Sequence, residues 1–203
     1  MQRRTFINLG IAGMGTALAT ASPIPLQFIP KPSKEKWAIL FGTWYGTSRD
    51  AGIWISEGMG GIAAVFDIRQ VPADLTSYDH LVIGTSIHGG KGPAALERYI
   101  EANIAKLQSK IKGLFACCGN AGRMPGPKQK QDYIDNYLAK LCRASSVPSK
   151  VFGGRITKVI TAPEDYSVVE NLYKRLNLPL DDYDNLSRPE CLKLGKSILE
   201  GKA

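Results

Sequence analysis

Ala38-Ile39-Leu40-Phe41-Gly42-Thr43-Trp44-Tyr45-Gly46-Thr47-Ser48-Arg49-Asp50-Ala51 passes from an apolar run through a Gly/Thr/Ser loop into the start of a helix. Trp37 to Phe41 has the form of a strand buried on both faces, as in a parallel sheet. In the loop at its carboxyl end, Gly42 and Gly46 permit tight turns, while Thr43, Tyr45, Thr47 and Ser48 supply hydroxyls. The helix that follows offers free N–H groups and the positive end of its dipole. Together these form an anion cradle; the alternative is an ordinary strand–turn–helix corner. No Lys follows the second Gly, so the loop is not a triphosphate-binding Walker A motif, and the G-x-G-x-x-G of dinucleotide folds is missing. Hydroxyls and backbone without a lysine suit a single phosphate.

The same rhythm repeats along the chain. Arg49 to Met59 reads as a helix capped by Thr47 or Ser48, and Ile62 to Ile68 as a second strand. The third strand, Leu81-Val82-Ile83-Gly84, enters a second polar, glycine-rich loop, Thr85-Ser86-Ile87-His88-Gly89-Gly90-Lys91-Gly92-Pro93. Ala94 to Leu107 places Leu96, Ile100, Ile104 and Leu107 on one helical face. The fourth strand, Lys112 to Cys118, ends in a third such loop, Gly119-Asn120-Ala121-Gly122-Arg123-Met124-Pro125-Gly126-Pro127. Lys128 to Ala144 is a further amphipathic helix, Val151 to Ile156 a fifth strand, and a last helix begins at Ser187-Arg188-Pro189-Glu190 in a capping-box pattern. Alternating strands and helices indicate βαβ units. In such sheets ligands bind outside the carboxyl ends of the strands, where all three loops fall. Residues 158–186 exceed an ordinary connection; they hold an acidic tip and a short helix with Val168, Val169, Leu172 and Leu176 on one face, and are either a functional loop or extra core packed on the fold.

The strand–loop–helix series from Lys36 to Glu200 resembles the flavodoxin family, whose first loop, S/T-x-T-G-x-T, holds the phosphate of flavin mononucleotide (FMN). Thr43, Gly46 and Ser48 match that pattern and Tyr45 replaces its middle Thr. Within the family the chain looks most like the flavodoxin-type protoporphyrinogen oxidases, on three stretches: Ile39 to Ser48, Leu81 to His88, and Val151-Phe152-Gly153-Gly154-Arg155. The resemblance implies an α/β three-layer sandwich around a five-stranded parallel sheet in order 2-1-3-4-5. It implies FMN as cofactor, with Thr43, Trp44, Tyr45, Gly46, Thr47 and Ser48 in the phosphate loop. Ser86, Ile87, His88 and Gly89 would lie on one side of the flavin ring, and Cys118, Gly119, Asn120, Ala121 and Gly122 at its other edge. His88 stands where the oxidases have Arg, and serves either as a donor to the flavin or as a solvated loop residue. The function implied is electron transfer or flavin-dependent oxidoreduction, with a redox protein or a membrane quinone as partner. The rival is a cofactor-free binding or interaction module of the cell envelope.

Residues 1–21 look like a twin-arginine export signal: Arg3-Arg4 precede Phe6, and a weakly apolar Gly/Ala/Thr stretch ends in small-x-small sites. Residues 22–34, with four prolines, read as a linker, and 35–203 as the folded domain. Export implies the periplasm or the outer face of the cytoplasmic membrane. At 203 residues, 44% hydrophobic and 22% charged, the chain has room for one cored domain. Its net charge of +8 permits peripheral contact with a membrane and disfavours the role of acidic electron carrier. The basic residues form no run, so nucleic-acid binding is not indicated. Four cysteines without Cys-x-x-Cys and two histidines give no metal or haem signature, so no metal site is expected. A bridge between Cys142 and Cys191 is the one disulfide the helices could bring together.

Overall fold

The computed structural model describes residues 29–72, 75–119, 121 and 123–201. The twin-arginine segment 1–21, linker residues 22–28, and Asn120 and Gly122 of the third loop lie outside the described residues. Five strands, β1 (Trp37–Gly42), β2 (Ala63–Asp67), β3 (His80–Ile87), β4 (Ile111–Cys118) and β5 (Ser149–Gly153), form a parallel sheet in the order β2-β1-β3-β4-β5. The order reverses direction between β1 and β3, so their carboxyl ends flank the switch point.

Strand parity sorts the core into two layers. Ala38, Leu40, Leu81, Ile83, Leu114 and Ala116 face α2 (Ala94–Leu107) and α3 (residues 127–142), packing with Leu96, Ile100 and Leu138. Trp37, Ile39, Phe41, Val82 and Phe115 face the other way, against Ile55 of α1 (Thr47–Gly58) and Leu194 and Ile198 of α5 (Arg188–Glu200). These two helices touch backbone to backbone: a Cβ on Gly195 would lie 2.2 Å from the Ile55 carbonyl oxygen, and one on Gly58 2.3 Å from that of Leu192. The middle of α3, Gln131–Leu138, is wound as a π-helix.

Several boundaries differ from the sequence-based reading. The α1 helix starts at Thr47, not Arg49, because Gly46 takes up the turn at φ 86° and neither hydroxyl caps it. The fifth strand stops at Gly153. There the Gly154 N–H donates to the Cys118 carbonyl at 2.7 Å, and Arg155–Ile156 (β6) leaves to pair antiparallel with Tyr183–Asp184 (β7). The expected capping box at Ser187 is not formed, for the Ser187 side chain caps nothing and Glu190 is drawn to Lys150 of β5. The insertion carries α4 (Pro163–Arg175), but its phase is one residue away from the reading. Tyr173 is its buried residue, while Val168, Leu172 and Leu176, expected in the core, are exposed.

The bridge between Cys142 and Cys191 is excluded. Cys142 packs on the α2/α3 face and Cys191 on the α1/α5 face, with the sheet between them, and all four cysteines are free and buried.

Candidate functional site

Three strand ends and the insertion line one open cleft. Thr43, Trp44, Tyr45 and Thr47 line it from the first loop, Ser86, Ile87 and His88 from the second, and Gly119 from the third. Gly154, Arg155, Ile156, Thr161, Asp165 and Val169 complete it.

The first loop is organised by its own atoms. The Gly46 N–H donates to Thr43 Oγ1 at 3.0 Å, and the Gly46 carbonyl accepts the Asp50 N–H at 3.1 Å, which opens α1. With φ 86° and ψ −6°, Gly46 occupies backbone space that side chains disfavour. No side chain caps α1, so its first-turn N–H groups have no partner within the helix and the helix dipole ends at the cleft. Asp50, which would oppose an anion there, is neutralised: its Oδ1 accepts from Arg49 Nη2 at 3.1 Å and its Oδ2 from Arg155 Nη1 at 2.8 Å. Arg155 also reaches Asp184 at 2.8 Å. Burial disfavours the Arg155 charge, but its hydrogen bonds to the two carboxylates prevail and hold its pKa above the ordinary value.

The remaining residues singled out in the sequence fall at different depths. Ser48 is fully buried, and its Oγ makes no hydrogen bond among the described residues. Gly46 lines a neighbouring groove. Gly89, at φ 58°, forms with Gly90 the tip of a tight turn in which the His88 N–H donates to the Lys91 carbonyl at 2.9 Å. Ala121 adopts a positive φ of 51°, between the undescribed Asn120 and Gly122. The cysteine lining the cleft is Cys117, not Cys118: parity turns Cys118 to the α2/α3 face. Burial raises the Cys117 thiol pKa far above its usual value and pushes Cys118 up to about 11, so neither is a ready thiolate.

The insertion joins two of the loops. Asp165 accepts a hydrogen bond from the Tyr45 hydroxyl, and its Oδ1 lies 3.8 Å from His88 Nε2. Burial first, and that hydrogen bond second, hold the Tyr45 pKa above its ordinary value. His88 in turn stands edge-on to Trp44, ring centroids 5.4 Å apart. Below them the Tyr183 hydroxyl donates to the Gly119 carbonyl at 3.1 Å, which pins the third loop to β7. Arg155, Thr161, Asp165 and Val169 had no local signal as site residues; Arg155 was visible only as the end of the Phe-Gly-Gly-Arg stretch.

The cleft has two halves of different chemistry. One is an uncapped helix end with backbone N–H groups and the Thr43 and Thr47 hydroxyls; the other is walled by Trp44, Ile87, Ile156 and Val169, with Gly119 and Gly154 beside them. That combination fits a flat, largely apolar ring bearing a phosphate. Among the described residues no group of three or more His, Cys, Asp or Glu side chains could hold a metal ion, and no helix is long and apolar enough to cross a membrane.

Residues 38–160 match the family described as flavodoxin domain. Among solved structures, the chain is similar to the flavodiiron core of Flv1 from Synechocystis sp. PCC6803, at 13% identity and a TM-score of 0.52, covering 82% of this chain and 35% of that one. It is similar to a short-chain flavodoxin associated with a non-canonical PDU bacterial microcompartment, at 11% identity and a TM-score of 0.52, covering 83% and 99%. Oxidised flavodoxin 1 from Bacillus cereus matches at 18% identity and a TM-score of 0.48, covering 81% and 97%. The chain thus spans about a third of the flavodiiron core and nearly all of each flavodoxin. At these identities the first two likenesses speak for the fold. No curated protein matches the chain.

Proposed function

Since the chain belongs to the flavodoxin domain family, we propose that it holds FMN in this cleft and moves electrons or hydride equivalents between a reduced partner and an acceptor. The observation carrying this reading is the convergence of all three glycine-rich loops on one cleft beside an uncapped helix end. Thr43, Thr47 and the first-turn N–H groups of α1 would hold the phosphate, with Gly46 setting the turn. Trp44, Ile87, His88 and Gly119 would bound the ring. When bound, FMN supplies the one- and two-electron chemistry. The chain's own part is to exclude water with the apolar wall and to present His88 Nε2, near Asp165, as a polar group at the ring side.

The finer reading is an enzyme of the flavodoxin-type protoporphyrinogen oxidase kind, exported by the twin-arginine route and passing electrons to a membrane quinone or a redox protein. It is supported by the Phe152-Gly153-Gly154-Arg155 stretch and the insertion before the last helix. Export is tested by Arg3→Lys with Arg4→Lys, which should leave the protein in the cytoplasm; unimpaired translocation would remove the signal from the account.

Fluorescence-quench titration of FMN tests the cofactor. Wild-type protein should quench to saturation. Thr43→Ala, which removes the hydroxyl that would donate to the phosphate, should weaken binding about tenfold, the scale of one hydrogen bond to a charged ligand. Absence of quenching by the wild type would favour the cofactor-free module instead.

A further inference from the structure

We propose that the groove on the far side of the phosphate loop is a second binding site, for the adenosine phosphate part of a nucleotide. The inference rests on the reading of the first loop as the seat of the FMN phosphate. The groove is open to solvent and runs between α1, the end of β2 and the turn Ile68–Gln70. Thr43, Tyr45 and Arg155 line both it and the cofactor cleft, and Gly46 lines it from the loop. The two spaces are therefore neighbours with the phosphate loop between them. A ligand whose chain ends at one phosphate fills only the first.

Its lining has the chemistry of a nucleotide site. Three guanidinium groups, those of Arg49, Arg69 and Arg155, line the groove with the carboxylate of Asp67; Arg155 is already engaged by Asp50 and Asp184, which leaves Arg49 and Arg69 as the exposed cations. Arg69 gives Nε and Nη2 to Asp67 at 2.9 and 2.6 Å, which fixes its plane and leaves Nη1 without a partner among the described residues. Arg49 gives Nε and Nη2 to the one oxygen Oδ1 of Asp50, at 3.2 and 3.1 Å. Both side chains stay open to solvent, at 60% for Arg49 and 63% for Arg69. Oriented guanidiniums with spare donors suit phosphate oxygens and also stack on aromatic bases. Ile53, Val65 and Phe66 supply the apolar wall that a purine needs. The adenosine phosphate has two sources: the AMP half of a flavin dinucleotide (FAD), continuous with the flavin, or a separate nucleotide donor beside bound FMN.

The test is a calorimetric titration of the flavin-stripped full-length protein with FMN and with FAD, and of the FMN-loaded protein with ADP. FAD binding at least about tenfold tighter than FMN, the scale of one charge-assisted contact, assigns the groove to the dinucleotide. Saturable ADP binding to the FMN-loaded protein, with FAD no tighter than FMN, assigns it to a separate nucleotide. In either case Arg69→Ala and Arg69→Glu should abolish the extra affinity and leave that for FMN unchanged, since Arg69 lies outside the cofactor cleft. FMN binding with no gain from FAD and no ADP heat overturns the second site alone, as does a gain that both Arg69 variants retain. Failure of both flavins to bind overturns the reading of the phosphate loop.

Discussion

Substituting Gly46 by Ala separates backbone strain at the phosphate loop from every other consequence of a mutation. A Cβ at this position would come no nearer than 3.8 Å, to the tip of Arg49, so there is no steric contribution. What remains is conformational. At φ 86° and ψ −6° an alanine is strained by about 1–2 kcal/mol, offset in part by the stiffer unfolded chain. The Gly46 turn is held through a side chain by the single bond to Thr43 Oγ1, worth about 1 kcal/mol, so the free loop relaxes and the bound one must restore the turn. FMN affinity should then fall about five- to thirtyfold with little loss of stability. Gly60 supplies the control: its φ is 81°, nothing lies within 4 Å, and it sits in the turn after α1, away from the cleft. Gly60→Ala should lose about 1 kcal/mol of stability, or about 2–4 °C in melting temperature, with FMN affinity unchanged. The assay pairs FMN fluorescence titration with thermal melting for both variants. Equal FMN affinity in wild type and Gly46→Ala, or a comparable loss of affinity in Gly60→Ala, would refute the reasoning.

Gly195→Ala forces a methyl group to 2.2 Å from the Ile55 carbonyl oxygen and should cost about 1–3 kcal/mol, read as a lower urea midpoint. Adding Gly58→Ala should cost less than the sum, because both methyls push apart the same two helices. Tyr45→Phe removes the bond to Asp165 and should speed proteolytic cleavage within 158–186 while shifting stability by no more than about 1 kcal/mol; unchanged cleavage would show that the bond does not hold the insertion. All four cysteines are buried and free, so a thiol reagent at about pH 8 should modify none in the native protein and all of them in denaturant, and reductant should leave the mass unchanged. In the folded chain burial pushes Cys118 up to about 11 and Cys142 and Cys191 up to about 12, against an unfolded value near 9.0. Above about pH 9 the unfolded chain therefore loses protons that the native chain keeps. Stability should be flat on this account below pH 9 and fall as pH rises toward 11–12, by about 1.4 kcal/mol per unit for each thiol. A flat urea midpoint across that window would contradict the burial of these thiols.

The parts of the molecule legible in the sequence are those written in short-range pattern. Trp37 to Gly42 is apolar at every position because both faces of β1 are covered, and the loop after it carries its turn residue, Gly46, in plain view. The strand order followed from resemblance and from the rule for parallel sheets, and β2-β1-β3-β4-β5 agrees with it. What was not legible depends on contacts between distant segments. Arg155 acts in the site only because Gly154 turns the chain off β5 and two aspartates from α1 and β7 then meet its guanidinium. The phase of α4 could not be read from its own apolar residues. Asp165, Val169 and Tyr173 point inward because the cleft and the core lie on that side, which leaves Val168 and Leu172 outside. The choice between Cys117 and Cys118 was within reach: the same parity that sends Phe115 to the α1/α5 face sends Cys117 with it.

The most direct test of the central claim is the visible absorption spectrum of the protein purified without added flavin, repeated after incubation with excess FMN and removal of the unbound portion. FMN seated in the cleft should give the two flavin bands, in stoichiometric amount after loading, bleached by dithionite and restored by air. Protein that stays colourless after loading would contradict that claim, whatever the fidelity of the fold.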